Sequence, residues 1–173
     1  MADPIFEHPR LAAIYDALDP DRRDLDVYVA IAGELGARHV LDIGCGTGTF
    51  ALLLADRGLE VTGIDPANGS LDVARAKPSS GRVRWICGTA KDLPSMQVDV
   101  VTMTGNVAQA IVAPSDWKGS LAYLLDRIPP ISAANATQPI KVRYLRIFSS
   151  ASRVIHIPGQ EARPRSAPQP STR

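Results

Sequence analysis

The 173-residue chain has only two cysteines, Cys45 and Cys87, and neither their number nor their positions outline a disulfide framework. It has almost no charge bias, with a formal net charge of +1, and aromatics make up only 5% of it. That balance gives no general footing for binding a polyanion. No apolar run reaches the length of a membrane span, and the opening MADPIFEHPR lacks the charged and apolar regions of a signal peptide. A soluble, cytoplasmic protein without membrane association is the expectation.

The 45% apolar content suffices for a sizeable core. Its centre is His39 to Pro66, HVLDIGCGTGTFALLLADRGLEVTGIDP. Val40, Leu41 and Ile43 suit a strand buried on both faces of a parallel sheet, interrupted by Asp42. Gly44, Gly46 and Gly48 follow at every second position and allow a tight turn with close approach of a ligand to backbone amides. Thr49 to Arg57 continues as a helix, with Phe50, Leu53, Leu54 and Arg57 near helical spacing and Gly58 as its left-handed stop. The helix start points into the turn, so an anionic or strongly polar group is expected there. Leu59, Val61 and Ile64 form a second strand ending in Asp65, 23 positions after Asp42. A carboxylate at that distance suits the paired hydroxyls of a ribose.

The dinucleotide fingerprint G-x-G-x-x-G requires glycine at position 49, which is Thr49. Asp42-x-Gly44-x-Gly46-x-Gly48, read with its strand, helix and second-strand acid, instead resembles motif I of the class I S-adenosylmethionine-dependent methyltransferases. The resemblance covers about residues 8 to 127. It implies an α/β, Rossmann-like, mostly parallel sheet flanked by helices, with S-adenosyl-L-methionine as cofactor. It further implies that Asp42 and the loop Gly44, Cys45, Gly46 and Gly48 surround the methionine part, and that Asp65 binds the ribose.

Before the first strand, residues 8 to 18 place Leu11, Ile14, Tyr15 and Leu18 on one helical face. A second helix is expected from Arg22 to Leu35, with Leu25, Tyr28, Val29, Ala32 and Leu35 in register and Gly36 as its stop. In the resembled family such helices cover the cofactor, and a Tyr-Asp pair there often lies near it; Tyr15 packing its ring in the core is the competing account. After Asp65, a short helix and the Ser79-Ser80-Gly81 loop lead to a third strand at Val83, Trp85 and Ile86. The loop Gly88-Thr89-Ala90 follows, where related enzymes commonly have G-D-A and the aspartate accepts from the adenine amine. Thr89 and the Ala90 amide are the corresponding contacts here, with an adenine contact weaker by about 1 kcal/mol. A fourth strand over Gln97 to Met103 leads to Asn106, read either as an orienting residue between methyl donor and acceptor or as a turn residue. Asp116 to Arg127 follows as a helix burying Trp117, Leu121, Leu124 and Leu125.

From Ile128 the resemblance stops. Residues 129 to 173 hold 7 of the 14 prolines and 7 basic residues against 1 acidic, a charge of +6, whereas residues 1 to 128 hold 12 basic and 17 acidic, a charge of −5. Such a change marks an interaction tail or sequence foreign to the original fold, as an altered reading frame would produce. The division expected is a methyltransferase core over residues 1–127 and an atypical basic, proline-rich, partly disordered segment over 128–173. The reaction implied is methyl transfer to an acceptor. No N-P-P-[YF] tetrad or catalytic cysteine appears, which turns the expectation from nucleic acid to a small molecule; no catalytic acid or base and no metal ligand stands out. The alternative is a truncated or frame-altered relative that binds the cofactor weakly, or only as a scaffold, without turnover.

Overall fold

The computed structural model describes residues 4–105 and residue 107. Four parallel strands, β1 (His39–Ile43), β2 (Glu60–Asp65), β3 (Val83–Cys87) and β4 (Val100–Thr102), form a sheet in the order β3-β2-β1-β4. The reversal of strand order beside β1 puts a crevice at the carboxyl end of β1, where open α/β sheets receive ligands. Registers Asp42↔Gly63 and Asp65↔Cys87 bring the ends of three strands side by side. The expected Rossmann-like architecture is present over the described residues.

Helix α1 (Pro4–Glu7) and α2 (Pro9–Leu18) precede a short 3-10 turn and α3 (Asp26–Glu34); α4 (Thr49–Asp56) links β1 to β2, and α5 (Asn68–Ala76) follows β2. Leu25, Val29, Ala32, Phe50, Ala51 and Leu54 cover one face of the sheet over Val40, Val61, Val83 and Val100. On the other face Leu41, Ile43, Ile64, Val101 and Met103 pack with Ala90, Leu93 and Val98. Helix α4 ends at Asp56 and Gly58 takes φ +85°, the left-handed backbone foreseen for that stop.

The apolar face of α2 points outward: Leu11, Ile14, Tyr15 and Leu18 are all exposed, Leu18 to 75%, whereas Ala12 is sealed. The inward side of α2 meets a polar turn, so Ala12 and Asp16 suit it better than leucine. The fourth strand is shorter than Gln97 to Met103, with pairing to β1 running only from Val100 to Thr102. Asp99 just before it turns its carboxylate onto the amides of Arg38 and His39 at 2.9 and 3.0 Å. Asn106, the helix expected over 116–127 and the segment 128–173 lie outside the described residues.

The α1–α2 hairpin is pinned to α5. Ser70 Oγ donates to the Phe6 carbonyl at 2.8 Å, and the Asn68 amide donates to Glu7 Oε2 at 3.0 Å. A Cβ on Gly69 would stand 2.1 Å from the Glu7 carbonyl oxygen, so only glycine permits this approach. Gly69→Ala is therefore expected to push the hairpin off α5, destabilising the fold by roughly 1–3 kcal/mol. Faster amide exchange across residues 4–18, with the sheet still protected, is the readout. Unchanged exchange there would show that the contact does not hold the hairpin.

Candidate functional site

The glycine turn sits on the carboxyl end of β1 and is tied to β2. The amides of Gly44 and Cys45 both donate to the Ile64 carbonyl, at 2.8 and 3.2 Å. The Gly46 amide donates to Asp65 Oδ2 at 2.9 Å, and the Ala67 amide to Asp65 Oδ1 at 2.8 Å. Asp65 thus anchors the turn and the start of the α5 connection together. Its burial raises its pKa, an effect opposed by the Ala67 and Gly46 amides and assisted by Glu7.

The three motif glycines do different work. All have positive φ, a backbone region unfavourable to other residues. A Cβ on Gly44 would lie 2.2 Å from the Val107 side chain, and one on Gly48 would lie 2.5 Å from the Trp85 ring and 2.9 Å from Ala74 Cβ. Those two glycines make room for protein. Beside Gly46 none of the described residues stands within 4 Å of the Cβ position, so it faces space that they leave open.

Asp42 is wholly buried. Thr102 Oγ1 donates to its Oδ1 at 2.8 Å, while Oδ2 is buried without a hydrogen-bond partner among the described residues. Burial pushes its pKa up to about 7, helped by nearby Asp65 and opposed by the Thr102 bond. Because the folded state holds this proton above the ordinary carboxylate pKa, Asp42 stabilises least at high pH: stability falls as pH rises from about 4 to 7 and is level beyond. Asp42→Asn keeps an oxygen for Thr102 and removes the charge. Its melting temperature is expected to exceed that of the unaltered protein at pH 8, by the equivalent of at most about 4 kcal/mol, with the gap closing by pH 4. A gap independent of pH would exclude Asp42 as its source.

Cys45 is also buried, and its sulfur faces inward, 2.9 Å from where a Cβ on Gly63 would stand. Burial, reinforced by Asp42 and Asp65, raises its thiol pKa, so Cys45 is a packed thiol and its part in any ligand contact falls to its backbone. Tyr15 stacks edge-to-face on Phe6 with ring centroids 5.7 Å apart.

Its neighbour Asp16 reaches the turn instead. Asp16 Oδ1 accepts from Thr47 Oγ1 at 2.6 Å and from Thr49 Oγ1 at 3.3 Å, and Oδ2 pairs with Lys77 Nζ at 2.6 Å. Lys77 Nζ also donates to Thr49 Oγ1 at 3.0 Å. Burial alone would raise the Asp16 pKa, but Lys77 and the two hydroxyls outweigh it and hold the pKa below the ordinary value. The anionic group expected at the start of α4 is thus supplied, at least in part, by the chain itself. Sequence reading missed Asp16 because the contact spans 31 positions to Thr47; the Tyr-Asp pair was the available signal, and its acid is the member that meets the turn.

At the end of β3, Thr89 is occupied with Asp92. Its amide and hydroxyl donate to Asp92 Oδ2 at 2.7 and 2.8 Å, and its side chain accepts from the Asp92 amide. Ala90 is buried beside it. The spacing T-x-x-D is a capping-box signal visible in the sequence. Among the described residues no group of His, Cys, Asp and Glu is arranged to hold a metal ion, and no helix is long and apolar enough to cross a membrane. A cavity of about 470 Å³ lined by His39, Glu60, Val83, Met96 and Val98 opens at the amino ends of the strands, the opposite end of the sheet from this turn.

The model of the methyltransferase domain family matches residues 40–129, just over half the chain, and the chain belongs to that family. The class is that of S-adenosylmethionine-dependent methyltransferases. The chain is similar to an uncharacterized methyltransferase of Mycobacterium sp. (strain JLS), 33% identical over 116 residues, 65% of this chain and 45% of that protein. It is also similar to the ubiquinone biosynthesis O-methyltransferase of Bordetella avium, 46% identical over 91 residues, 50% of this chain and 37% of that protein. The match thus spans less than half of each of these curated relatives. Among solved structures, the CcbJ methyltransferase of Streptomyces caelestis superposes with a TM-score of 0.63 at 25% identity, covering 75% of this chain and 55% of that one. SAM-bound CalS10, an amino pentose methyltransferase, superposes with a TM-score of 0.60 at 19% identity, covering 78% and 55%; at that identity the likeness speaks for the fold alone. The family match over residues 40–129 does not favour the scaffold alternative.

The cofactor fits the residues present. Among the described residues Asp42 retains a buried carboxylate oxygen without a partner, Gly46 opens onto space that none of them fills, and Asp65 stands beside it.

Proposed function

We propose that this chain binds S-adenosylmethionine across the carboxyl ends of β1, β2 and β3 and transfers its methyl group to a small-molecule acceptor in the cytoplasm. One observation carries the choice of ligand. Asp65 lies close enough to Asp42 to raise its proton affinity, and among the described residues no basic side chain is bonded to either. A pair of carboxylates without basic partners favours a ligand bearing positive charge and disfavours the doubly negative pyrophosphate of a dinucleotide. Thr49, where the dinucleotide fingerprint needs glycine, agrees.

In this reading Gly44, Cys45, Gly46 and Gly48 present the backbone of the turn to the methionine part, with Gly46 at the open position and Asp42 beneath it. Asp65 accepts from the ribose hydroxyls, Thr89 and Ala90 border the base, and Asn106 lies on the acceptor side. The cofactor supplies an electrophilic methyl group on a cationic sulfur. The chain's part is to hold donor and acceptor in line, and correct placement alone supplies much of such a rate, so no protein base has to be assigned. The small-molecule acceptor is supported by relatives named for ubiquinone biosynthesis. The core comprises residues 1–127, with 128–173 as a separate basic segment.

Thermal unfolding with S-adenosylhomocysteine and with NAD tests the choice of ligand, because a ligand bound only by the folded state raises the melting temperature. A rise with the first and none with NAD is expected. The reverse result would overturn the assignment. Labelled S-adenosylmethionine with a fractionated metabolite extract then tests turnover.

A further inference from the structure

The α1–α2 hairpin meets the glycine turn through Asp16. Its contacts at Phe6 and Glu7 run to Asn68, Gly69 and Ser70 of α5, whereas Asp16 Oδ1 takes the Thr47 hydroxyl at 2.6 Å and the Thr49 hydroxyl at 3.3 Å. Thr47 is buried and directly follows Gly46, the open position of the turn. The Gly46 amide is itself held by Asp65. Two carboxylates from outside the turn, one on β2 and one on α2, thus fix adjacent residues of it. Lys77 closes the arrangement from the end of α5: its Nζ pairs with Asp16 Oδ2 at 2.6 Å and donates to Thr49 Oγ1 at 3.0 Å. The start of α5 is tied in as well, because Asp65 also accepts the Ala67 amide. The Lys77 charge balances that of Asp16, so the pair brings shape to the turn rather than net charge.

We propose that Asp16 is a positioning residue of the ligand site. Without touching the ligand, it sets Thr47, and through Thr47 the backbone of Gly46, and it makes ligand binding and docking of the α1–α2 hairpin depend on one another. The proposal rests on the reading of the turn as the S-adenosylmethionine site. A turn held in its binding shape before the ligand arrives loses less freedom on binding, so freeing Thr47 lowers affinity although no ligand contact is removed. Linkage requires the converse: a ligand that favours the held turn also favours the docked hairpin.

The test joins calorimetry with S-adenosylhomocysteine on the full chain to amide exchange over residues 4–18. Asp16→Ala is expected to weaken binding about tenfold. Asp16→Asn keeps an oxygen for the Thr47 hydroxyl and should stay within about threefold of the unaltered protein. Thr47→Val removes the hydroxyl with little change of shape and should reproduce the alanine loss, and it decides the matter if Asp16→Ala folds poorly. The double variant Asp16→Ala, Thr47→Val should bind no more weakly than either single one, because both break the same tie. The ligand should slow exchange across residues 4–18 in the unaltered protein and leave it unchanged in Asp16→Ala. A residue that only braces the fold would lower the melting temperature and leave the affinity of the folded protein as it was. Unchanged affinity in Asp16→Ala and Thr47→Val, additive losses in the double variant, no rescue by asparagine, or exchange over 4–18 indifferent to the ligand would each overturn the proposal. Failure of the unaltered protein to bind S-adenosylhomocysteine at all would instead strike the reading of the turn on which it depends.

Discussion

Gly46→Val is expected to abolish S-adenosylhomocysteine binding, with affinity down by more than about a hundredfold, the equivalent of roughly 3 kcal/mol, in a protein that still folds. Gly46 has φ +53°, so valine brings backbone strain of about 1–2 kcal/mol and some loss of melting temperature. The Cβ position meets no atom of the described residues within 4 Å, so the added bulk intrudes where the ligand is proposed to lie. The neighbouring glycines provide the contrast. Gly44→Ala and Gly48→Ala would drive a methyl group into Val107 or Trp85, so their damage should appear chiefly as instability, with or without ligand. Far-ultraviolet circular dichroism and calorimetry on the three variants separate the cases. If Gly46→Val bound as tightly as the unaltered chain, the ligand would have to lie away from the turn.

The same comparison shows why the central motif was legible and its surroundings less so. The buried strand, the alternating glycines and the two acids sit within one continuous stretch, so local periodicity and spacing reveal β1, α4, β2 and the order of the ligand stations. Sequence spacing does not reveal what each glycine spares. Gly46 spares open space, Gly48 the ring of Trp85, and Gly69 the Glu7 carbonyl. Distance along the chain hid the rest. The amphipathic rule placed Leu11, Ile14, Tyr15 and Leu18 on one face of α2 without saying which way it points; the surface that α2 meets carries threonine hydroxyls, so Asp16 faces in and the leucines face out. The Thr89–Asp92 capping box, by contrast, is local and stands in the sequence as T-x-x-D.

Asp65→Ala should weaken S-adenosylhomocysteine binding by at least about 2 kcal/mol, roughly thirtyfold, through loss of charge-assisted hydrogen bonds to the ribose. The structure adds a second reason for a large effect. Asp65 accepts the Gly46 and Ala67 amides, so alanine also frees the turn at the position where the methionine part is proposed to rest. Asp65→Asn separates the two contributions, because an amide oxygen can still accept from one backbone amide while the charge is gone. About a tenfold loss is expected for asparagine, between the unaltered protein and alanine. A ligand analogue lacking the 2′-hydroxyl completes a cycle: if Asp65 holds the ribose, removing the carboxylate and removing the hydroxyl are not additive. The pH profile supplies an independent check. The ribose bonds need the carboxylate, and burial raises the pKa of Asp65 in the free protein. Affinity should therefore fall with decreasing pH sooner than an ordinary aspartate would require, and Asp65→Asn should flatten that fall. Additive losses in the cycle together with an unaltered pH profile would remove Asp65 from the ribose and leave it as the anchor of the glycine turn.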